Sequence, residues 1–183
     1  MSPSKRNNLY ANSGIVVEIN AEQDLRKYEH HGVLKGLEFQ KDLEKLAFNA
    51  GGRSQTAPAQ RLTDFVEGRF SNSLNPTSYQ PGLKSATLHS LLPKQIGGRL
   101  RKGFEEFGRK MHGYYTEEAN VVGVESRTSS PVNIPRNEHL EHPELQGLFP
   151  CGEGGGYAGG IVSAAMDGER CVEKLVEKYL ITK

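Results

Sequence analysis

The sequence has few cysteines, no excess charge of either sign and no long apolar run, and each absence excludes a class of protein. Its two cysteines, Cys151 and Cys171, form neither a CxxC pair nor the framework of a disulfide-stapled domain. A formal net charge of +1 gives no overall preference for nucleic acid, a membrane surface or an acidic partner. No apolar run reaches the length of a membrane span, and the N-terminus lacks the apolar stretch of a signal peptide. We therefore expect a soluble cytoplasmic protein with no membrane partner.

Secondary structure follows from the spacing of the apolar residues. Steps of three and four predict long helices over residues 34–50, 93–114 and 160–179, and a shorter helix over 59–67. Runs of β-branched or apolar residues predict strands over 15–19, 121–125 and 147–151, and residues 71–85 are expected to form a long loop. The inventory is a helix-rich α+β fold whose few short strands lie far apart in the sequence. Because sheet edges and apolar strand faces need partners, we expect part of a larger fold or an obligate oligomer.

A glycine cluster at the start of the last predicted helix is the segment whose chemistry indicates a ligand. Glycine allows positive φ angles and close approach to another molecule, and a helix N-terminus favours anionic oxygens. Gly154, Gly156 and Gly159 match the pattern GxGxxG. A dinucleotide fingerprint also needs a second strand with an acidic ribose ligand about 20 residues further on. No such strand follows here, so the pattern alone does not predict a pyrophosphate site, and a structural turn remains an equal alternative.

Other features of the sequence favour structural roles. Cys151 is expected to be a small buried residue, and the histidines show no metal-ligand spacing, so we assign no metal and no catalytic residue. Loop residues are candidates for lining a substrate pocket, namely Ser78, Tyr79, Arg127, Ser129 and Ser130. The second long helix has a basic face, which is expected to be solvated rather than to bind nucleic acid; its members are Lys94, Arg99, Arg101, Lys102, Arg109 and Lys110.

Several segments resemble a known family in its chain order. The runs from Glu125 to Arg136 and from Gly147 to Gly168 resemble the C-terminal signature of the bacterial "uncharacterised FAD-dependent dehydrogenase" flavoproteins. The same family is resembled at residues 4–6 with 10–14, at 57–65 and at 78–82. The resemblance covers nearly the whole chain. It implies the C-terminal portion of a two-domain FAD-binding fold, with FAD as cofactor.

The resemblance also implies a division of roles. Members of the family carry an N-terminal dinucleotide-binding region that has no counterpart here, so we expect that region to be a partner of this chain. Glu153 would meet the ribityl chain of FAD, and the amides of Gly159, Gly160 and Ile161 would face the flavin ring, where a helix N-terminus suits negative charge. The full cofactor-binding set is Gly152, Glu153, Gly154, Gly155, Gly156, Tyr157, Gly159, Gly160 and Ile161.

The resemblance further implies three functional regions. Residues 1–17 would return from the flavin domain, residues 18–120 would form a helical substrate cap, and residues 121–183 would complete the flavin domain. The expected function is the C-terminal part of an FAD-dependent oxidoreductase acting on a small-molecule substrate, with little or no FAD bound by this chain alone. A non-catalytic interaction module, including a homodimer, is the alternative from another class. A third hypothesis is an anion or nucleic-acid binder that uses the basic face between Lys94 and Lys110.

Overall fold

The computed structural model describes residues 7–180. It is helix-rich with one small mixed sheet, which confirms the α+β class. The predicted family motif at residues 4–6 lies outside the described residues. The elements in chain order are a 3₁₀ segment at Arg26–Leu34, α1 (Lys35–Ala50), β1 (Ala57–Arg61), α2 (Leu62–Glu67), β2 (Leu83–Ser85), α3 (Leu88–Leu91), α4 (Lys94–Lys110), β3 (Asn120–Val122) and α5 (Ile161–Tyr179).

The sheet is built around β1, in the order β2-β1-β3. β1 runs parallel to β2, with Ala57 opposite Leu83, and antiparallel to β3, with Gln60 opposite Val121. The helix predicted over 59–67 therefore begins too early, because its first three residues belong to β1. α2 ends at Gly68, whose φ of +74° is the left-handed conformation typical of a helix C-terminus.

Two predicted strands are wrong. Residues 15–19 pair with no strand in the described chain, although Ile15 packs against the apolar core. Residues 147–151 form no strand either: Gly147 belongs to a turn, and residues 148–151 have no regular secondary structure. Gly147 has a φ of +83°, and the Leu148 N–H donates to Leu145 O at 3.3 Å. β-branched or apolar composition alone does not make a strand where no partner strand accepts the backbone hydrogen bonds.

The three long helices are confirmed to within a few residues. α4 ends four residues earlier than predicted because Met111 adopts an extended conformation, with φ −126° and ψ 104°. None of the helices in residues 7–180 combines the length and apolarity that crossing a membrane requires.

The chain divides into two compact units. The first comprises the described residues up to Asp24 together with Lys41–Val124, and the second comprises Leu25–Gln40 and the residues from Glu125 onward. The boundaries between them fall near Asp24, within α1 and just after β3. The division into a return segment, a cap and a flavin-domain segment is functional, and it remains a prediction.

The first unit has an apolar core that packs α2, α3 and α4 together. Its buried centre is formed by Leu62, Phe65, Leu88 and Phe104. The rings of Phe65 and Phe104 pack edge to face, with their centroids 5.9 Å apart. Fully burying each such side chain stabilises the fold by about 1.5–3 kcal/mol. Leu88 is 1% exposed and so fixes the short helix α3 against α4.

Candidate functional site

The glycine-rich segment forms a tight turn just before α5 in the second unit. The Gly156 N–H donates to Glu153 O at 2.9 Å, and the Tyr157 N–H donates to Gly152 O at 3.0 Å. Gly152 and Gly156 have φ angles of +65° and +85°, which glycine adopts without strain. The backbone therefore closes on itself, and at least these two glycines are required by its geometry.

The turn is also held from outside by the extended segment around Val132. The Ile134 N–H donates to Gly155 O at 3.1 Å, and the Tyr157 hydroxyl donates to Ile134 O at 2.8 Å. A Cβ at Gly156 would lie 2.8 Å from Val132 O. Because that contact is with backbone, any side chain at Gly156 would displace one of the two segments.

Arg136 and Asp167 form a buried ion pair beside the turn. Two guanidinium nitrogens of Arg136 donate to the two Asp167 carboxylate oxygens at 2.9 and 2.8 Å, and the side chains are 13% and 9% exposed. Arg136 also donates to Pro150 O at 3.0 Å, and Asp167 accepts the Gly152 N–H at 2.9 Å. The guanidinium carbon lies 3.6 Å from the centre of the Tyr157 ring. The pair thus ties the residues before, within and after the turn to α5.

The charges in this pair reinforce one another. The hydrogen bonds from Arg136 hold the pKa of Asp167 below its ordinary value, with a smaller contribution from the Gly152 N–H, while burial opposes the shift. The hydrogen bond to Asp167 raises the pKa of Arg136. Both groups are therefore charged at neutral pH, and a bidentate pair of this geometry is among the stronger protein hydrogen-bonding arrangements.

Glu141 holds the other end of α5. Its carboxylate accepts the Gly147 N–H at 2.6 Å and the Tyr179 hydroxyl at 3.2 Å, and it forms an ion pair with Lys178. The Gly147 N–H, followed by Lys178, lowers the pKa of Glu141. Polar contacts therefore fix α5 at both ends.

The apolar side that helical periodicity assigns to α5 is largely exposed. Ile161 and Val172 are 93% and 59% exposed, whereas the buried residues of the helix are Asp167 and Cys171. The helix thus packs within this unit through a face centred on an ion pair. An exposed apolar stripe on a helix is typical of a surface that another part of a protein covers.

The predicted cofactor-binding residues divide into two groups. Gly152 and Gly155 are buried, and Gly156 and Tyr157 are held by the contacts described above. The second group is exposed to solvent; its members are Glu153, Gly154, Gly159, Gly160 and Ile161. Within it, the Gly160 N–H already donates to Ser163 Oγ at 3.1 Å. The structure therefore gives the first group a role in shaping the turn. Assignment of either group to a cofactor remains a prediction.

The exposed group offers a defined set of donors and acceptors. The first intrahelical bond of α5 runs from the Ala164 N–H to Gly160 O, so the amides from Ile161 to Ser163 precede the helical hydrogen-bond ladder. Residues 161–163 are exposed, and a Cβ at Gly159 would meet nothing within 4 Å, so the approach to these amides is open. Glu153 adds a carboxylate acceptor. A hydroxylated chain with an electron-rich ring fits this donor set, and the ribityl and isoalloxazine parts of FAD have that chemistry.

The other residues singled out from the sequence have structural surroundings. Cys151 is exposed and Cys171 is buried, so the expectation of a buried Cys151 is wrong. The Tyr79 hydroxyl donates to Gln55 O in the first unit, and the Ser130 hydroxyl donates to Val132 O in the second. The described residues contain no group of three or more His, Cys, Asp or Glu side chains that could hold a metal ion.

Three residues that shape the turn have no role in the sequence-based prediction. The Asn133 side-chain amide donates to Gly156 O at 3.2 Å, while Arg136 and Asp167 form the ion pair. Arg136 belongs to the run that carries the family resemblance, and this was a signal for its importance. Asp167 also lies in such a run and has Arg170 three residues further along α5, but the partner that forms the bidentate pair is 31 residues away in the sequence.

Comparison with known proteins gives two matches. The family model described as "FAD-dependent protein, C-terminal domain-like" matches residues 1–128. A Clostridium beijerinckii protein described as "Uncharacterized protein" is 40% identical over 175 residues, which is 94% of this chain and 32% of that relative. The chain therefore spans about a third of the length of the curated relative that it matches. The family match ends before the glycine turn.

Proposed function

Because the chain belongs to the family described as FAD-dependent protein, C-terminal domain-like, we propose that it forms the ribityl and isoalloxazine side of an FAD site in an oxidoreductase. The observation that carries this proposal is the glycine turn that presents Glu153 and the open N-terminus of α5 to solvent. The remaining two-thirds of the relative's length leaves room for a dinucleotide-binding region, which would hold the adenosine and pyrophosphate.

Each exposed group has a distinct role in this proposal. The Glu153 carboxylate accepts a hydrogen bond from a ribityl hydroxyl. The amides at the start of α5 lie against the pyrimidine edge of the ring, where the positive end of the helix dipole stabilises negative charge by about 0.3–1 kcal/mol. The ion pair between Arg136 and Asp167 keeps both groups in register, because it fixes the turn to the helix.

The cofactor, when bound, supplies the acceptance and release of a hydride. This chain would orient the flavin and exclude water from one of its faces. Residues 18–120 would act as the cap that selects a small-molecule substrate. FAD bound only through its flavin end loses the contacts to pyrophosphate and adenosine, so the 183-residue chain alone is expected to retain little or no FAD.

The test is a flavin-binding measurement on a form of the protein that carries the proposed dinucleotide-binding region. Glu153→Ala should weaken FAD binding about 10- to 100-fold, since a hydrogen bond to a charged group contributes about 1.5–3 kcal/mol. Quenching of flavin fluorescence measures the affinity. Glu169→Gln, which removes an exposed acid of α5 away from the turn, is the matched control. Equal affinity for the Glu153→Ala variant and the parent would remove the assigned role of Glu153.

The 183-residue chain provides a second readout. Flavin absorbance that persists through gel filtration of this chain would contradict the proposal that another region is needed. Absence of flavin from both the chain and the longer form would contradict the FAD assignment itself.

A non-catalytic interaction module is the second candidate, and the exposed apolar stripe of α5 favours it. Ile161, Val162 and Val172 are all more than half exposed. In this alternative the stripe pairs with a partner chain or with a second copy. Light scattering would then show a dimer of the 183-residue chain, and no form of the protein would bind flavin.

A further inference from the structure

A basic cavity lies between α3 and α4 in the first unit. Its volume is about 400 Å³, which is in the range of small-molecule sites. His89 of α3 lines one wall, and Lys94 and Arg101 of α4 line another. Because Leu88 is fully buried in the apolar core, the helix that carries His89 has a fixed position.

The lining residues of α4 share one face of that helix. Lys94, Gly97, Gly98 and Arg101 follow one another at steps of three, one and three, so the two glycines separate the two cations. A Cβ at Gly98 would meet nothing within 4 Å, and one at Gly97 would lie 3.7 Å from His89 O. The glycines therefore leave the space between the cationic side chains open.

The positive charge of the cavity is not neutralised by its own lining, which contains no acidic residue. Within residues 7–180, neither Lys94 nor Arg101 forms an ion pair with a carboxylate. Arg101 Nε is, in the same part of the chain, a buried side-chain donor with no hydrogen-bond partner. Buried donors are nearly always satisfied in folded proteins, so this atom indicates a bound water or ligand.

His89 adds a neutral donor with a defined tautomer. The Gln60 side chain is fully buried; its Oε1 accepts the His89 backbone N–H at 3.1 Å, and its Nε2 lies 2.8 Å from His89 Nδ1. Since the amide nitrogen of Gln60 is the donor, Nδ1 is the acceptor and the ring proton sits on Nε2. Burial, followed by the charge of Arg101, lowers the pKa of His89, so the ring is neutral at physiological pH.

We propose that this cavity binds an oxyanion, a phosphoryl or carboxylate group of a small molecule, through Lys94, Arg101 and the His89 Nε2–H. Arginine and lysine form charge-assisted hydrogen bonds with such oxygens. The site lies wholly in the first unit, so the proposal does not depend on the FAD assignment.

Titration of the 183-residue chain by NMR tests the site, with inorganic phosphate in one series and acetate in the other. Sodium chloride holds the ionic strength constant. The expected result is a saturable shift of the Gly97 and Gly98 amides and of the His89 ring, with a rise in the pKa of His89 because the anion offsets the charge of Arg101. Saturation by phosphate alone identifies a phosphoryl site, and saturation by acetate as well identifies a carboxylate site.

Three variants distinguish anion binding in the cavity from attraction of the anion to the net charge of α4. Arg101→Gln should weaken binding about tenfold, because it removes a charge-assisted contact. Gly98→Leu keeps every charge and should also weaken binding about tenfold by filling the open space; it replaces a helix glycine, so the fold should persist. Lys102→Gln removes the same charge from an exposed neighbour and should leave binding unchanged.

Four outcomes would overturn the proposal. They are no saturable shift with either anion, an equal response to chloride, unchanged binding in Gly98→Leu, and equal weakening in Lys102→Gln and Arg101→Gln. The last outcome would mean that the anion senses only the net charge of α4.

Discussion

The two units of the chain are stabilised in different ways. The first unit packs three helices around Phe65 and Phe104, and most of the large buried apolar side chains belong to it. In the second unit, α5 is fixed by Arg136 with Asp167 and by Glu141 with Lys178, and the helix exposes much of its apolar stripe. Apolar burial therefore dominates in the first unit, and polar contacts dominate around α5.

This difference indicates which of the two units needs a further packing partner. The first unit has an apolar core of its own, in which Leu62, Phe65, Leu88 and Phe104 are removed from water, although Phe48 and Phe70 on its surface stay half exposed. The second unit leaves apolar area exposed on α5, and ion pairs that are both buried and solitary add little net stability. Under the proposed function, the second unit, which carries the glycine turn, is the one that another region of the protein would complete.

The largest expected effect is in the apolar core. Phe65→Ala should lower the free energy of unfolding of the first unit by about 3–5 kcal/mol, because it leaves a cavity where a ring was fully buried. Phe70→Ala is the matched control, since Phe70 is 52% exposed, and it should cost less than about 1 kcal/mol. Amide exchange of β1 to β3 under urea measures both. Similar losses for the two variants would show that the ring of Phe65 is not the centre of this core.

A smaller effect is expected at the ion pair of the second unit. Asp167→Asn should cost about 3 kcal/mol, because Arg136 remains buried with no opposite charge. Hydrogen exchange of the Gly152 and Tyr157 amides measures this loss of stability, because both amides belong to the turn that the ion pair holds. Glu169→Gln changes an exposed acid of the same helix and should cost less than about 0.5 kcal/mol.

The same pair makes the second unit sensitive to acid. The pKa of Asp167 is lowered in the folded chain, so the unfolded chain binds more protons as the pH falls. The stabilisation is complete above the ordinary carboxyl pKa of 3.8 and is lost as the pH falls through the lower folded value. Asp167→Asn should lose less stability than the parent across this range. Glu141 keeps part of the dependence, because its pKa is also lowered.

The smallest expected effect is on the exposed stripe of α5. Val172→Ser should change the free energy of unfolding by less than about 0.5 kcal/mol, because Val172 is 59% exposed. Its neighbour Cys171 is 3% exposed, so Cys171→Ala should cost at least about 1 kcal/mol by removing a buried sulfur that contacts Pro150 O and Arg136. Urea unfolding, monitored by hydrogen exchange of the α5 amides, compares the stability losses of the two variants. A large loss for Val172→Ser would show that the stripe is already covered.

Helical periodicity predicted α1, α4 and α5 well because their apolar residues recur over several turns. It could not reveal which side of α5 is packed. Asp167 and Cys171 are the buried residues, and a carboxylate is buried only when a partner such as Arg136 neutralises it. That partner is distant in the sequence, so the orientation of the helix depends on tertiary contacts.

Strand prediction was less accurate for the same reason. Val121 lies in a strand because β1 accepts its pairing, whereas Ile15 has similar composition and no partner strand. Pro58 and Gln60 have low strand propensity, yet both belong to the central strand of the sheet. Short strands are determined by their neighbours more than by their own residues.

The candidate site was predicted in part. The sequence indicated the turn and the helix that follows, because a glycine cluster directly before an amphipathic run is typical of a tight turn that opens onto a helix. Separating Glu153, which is exposed, from Gly155, which is buried against Cys151, required backbone geometry. The basic cavity could not be predicted for a similar reason, since His89 and Arg101 belong to different helices.

The alternation of the two units along the chain has a consequence for folding kinetics. Residues 25–40 belong with those beyond 124, so the second unit joins segments separated by most of the first. During synthesis, residues 25–40 leave the ribosome before Glu125 and wait for their partners. At about 5–20 residues per second, this delay lasts roughly 4–17 seconds. The long loop that must close also raises contact order, so we expect the second unit to form more slowly than the first.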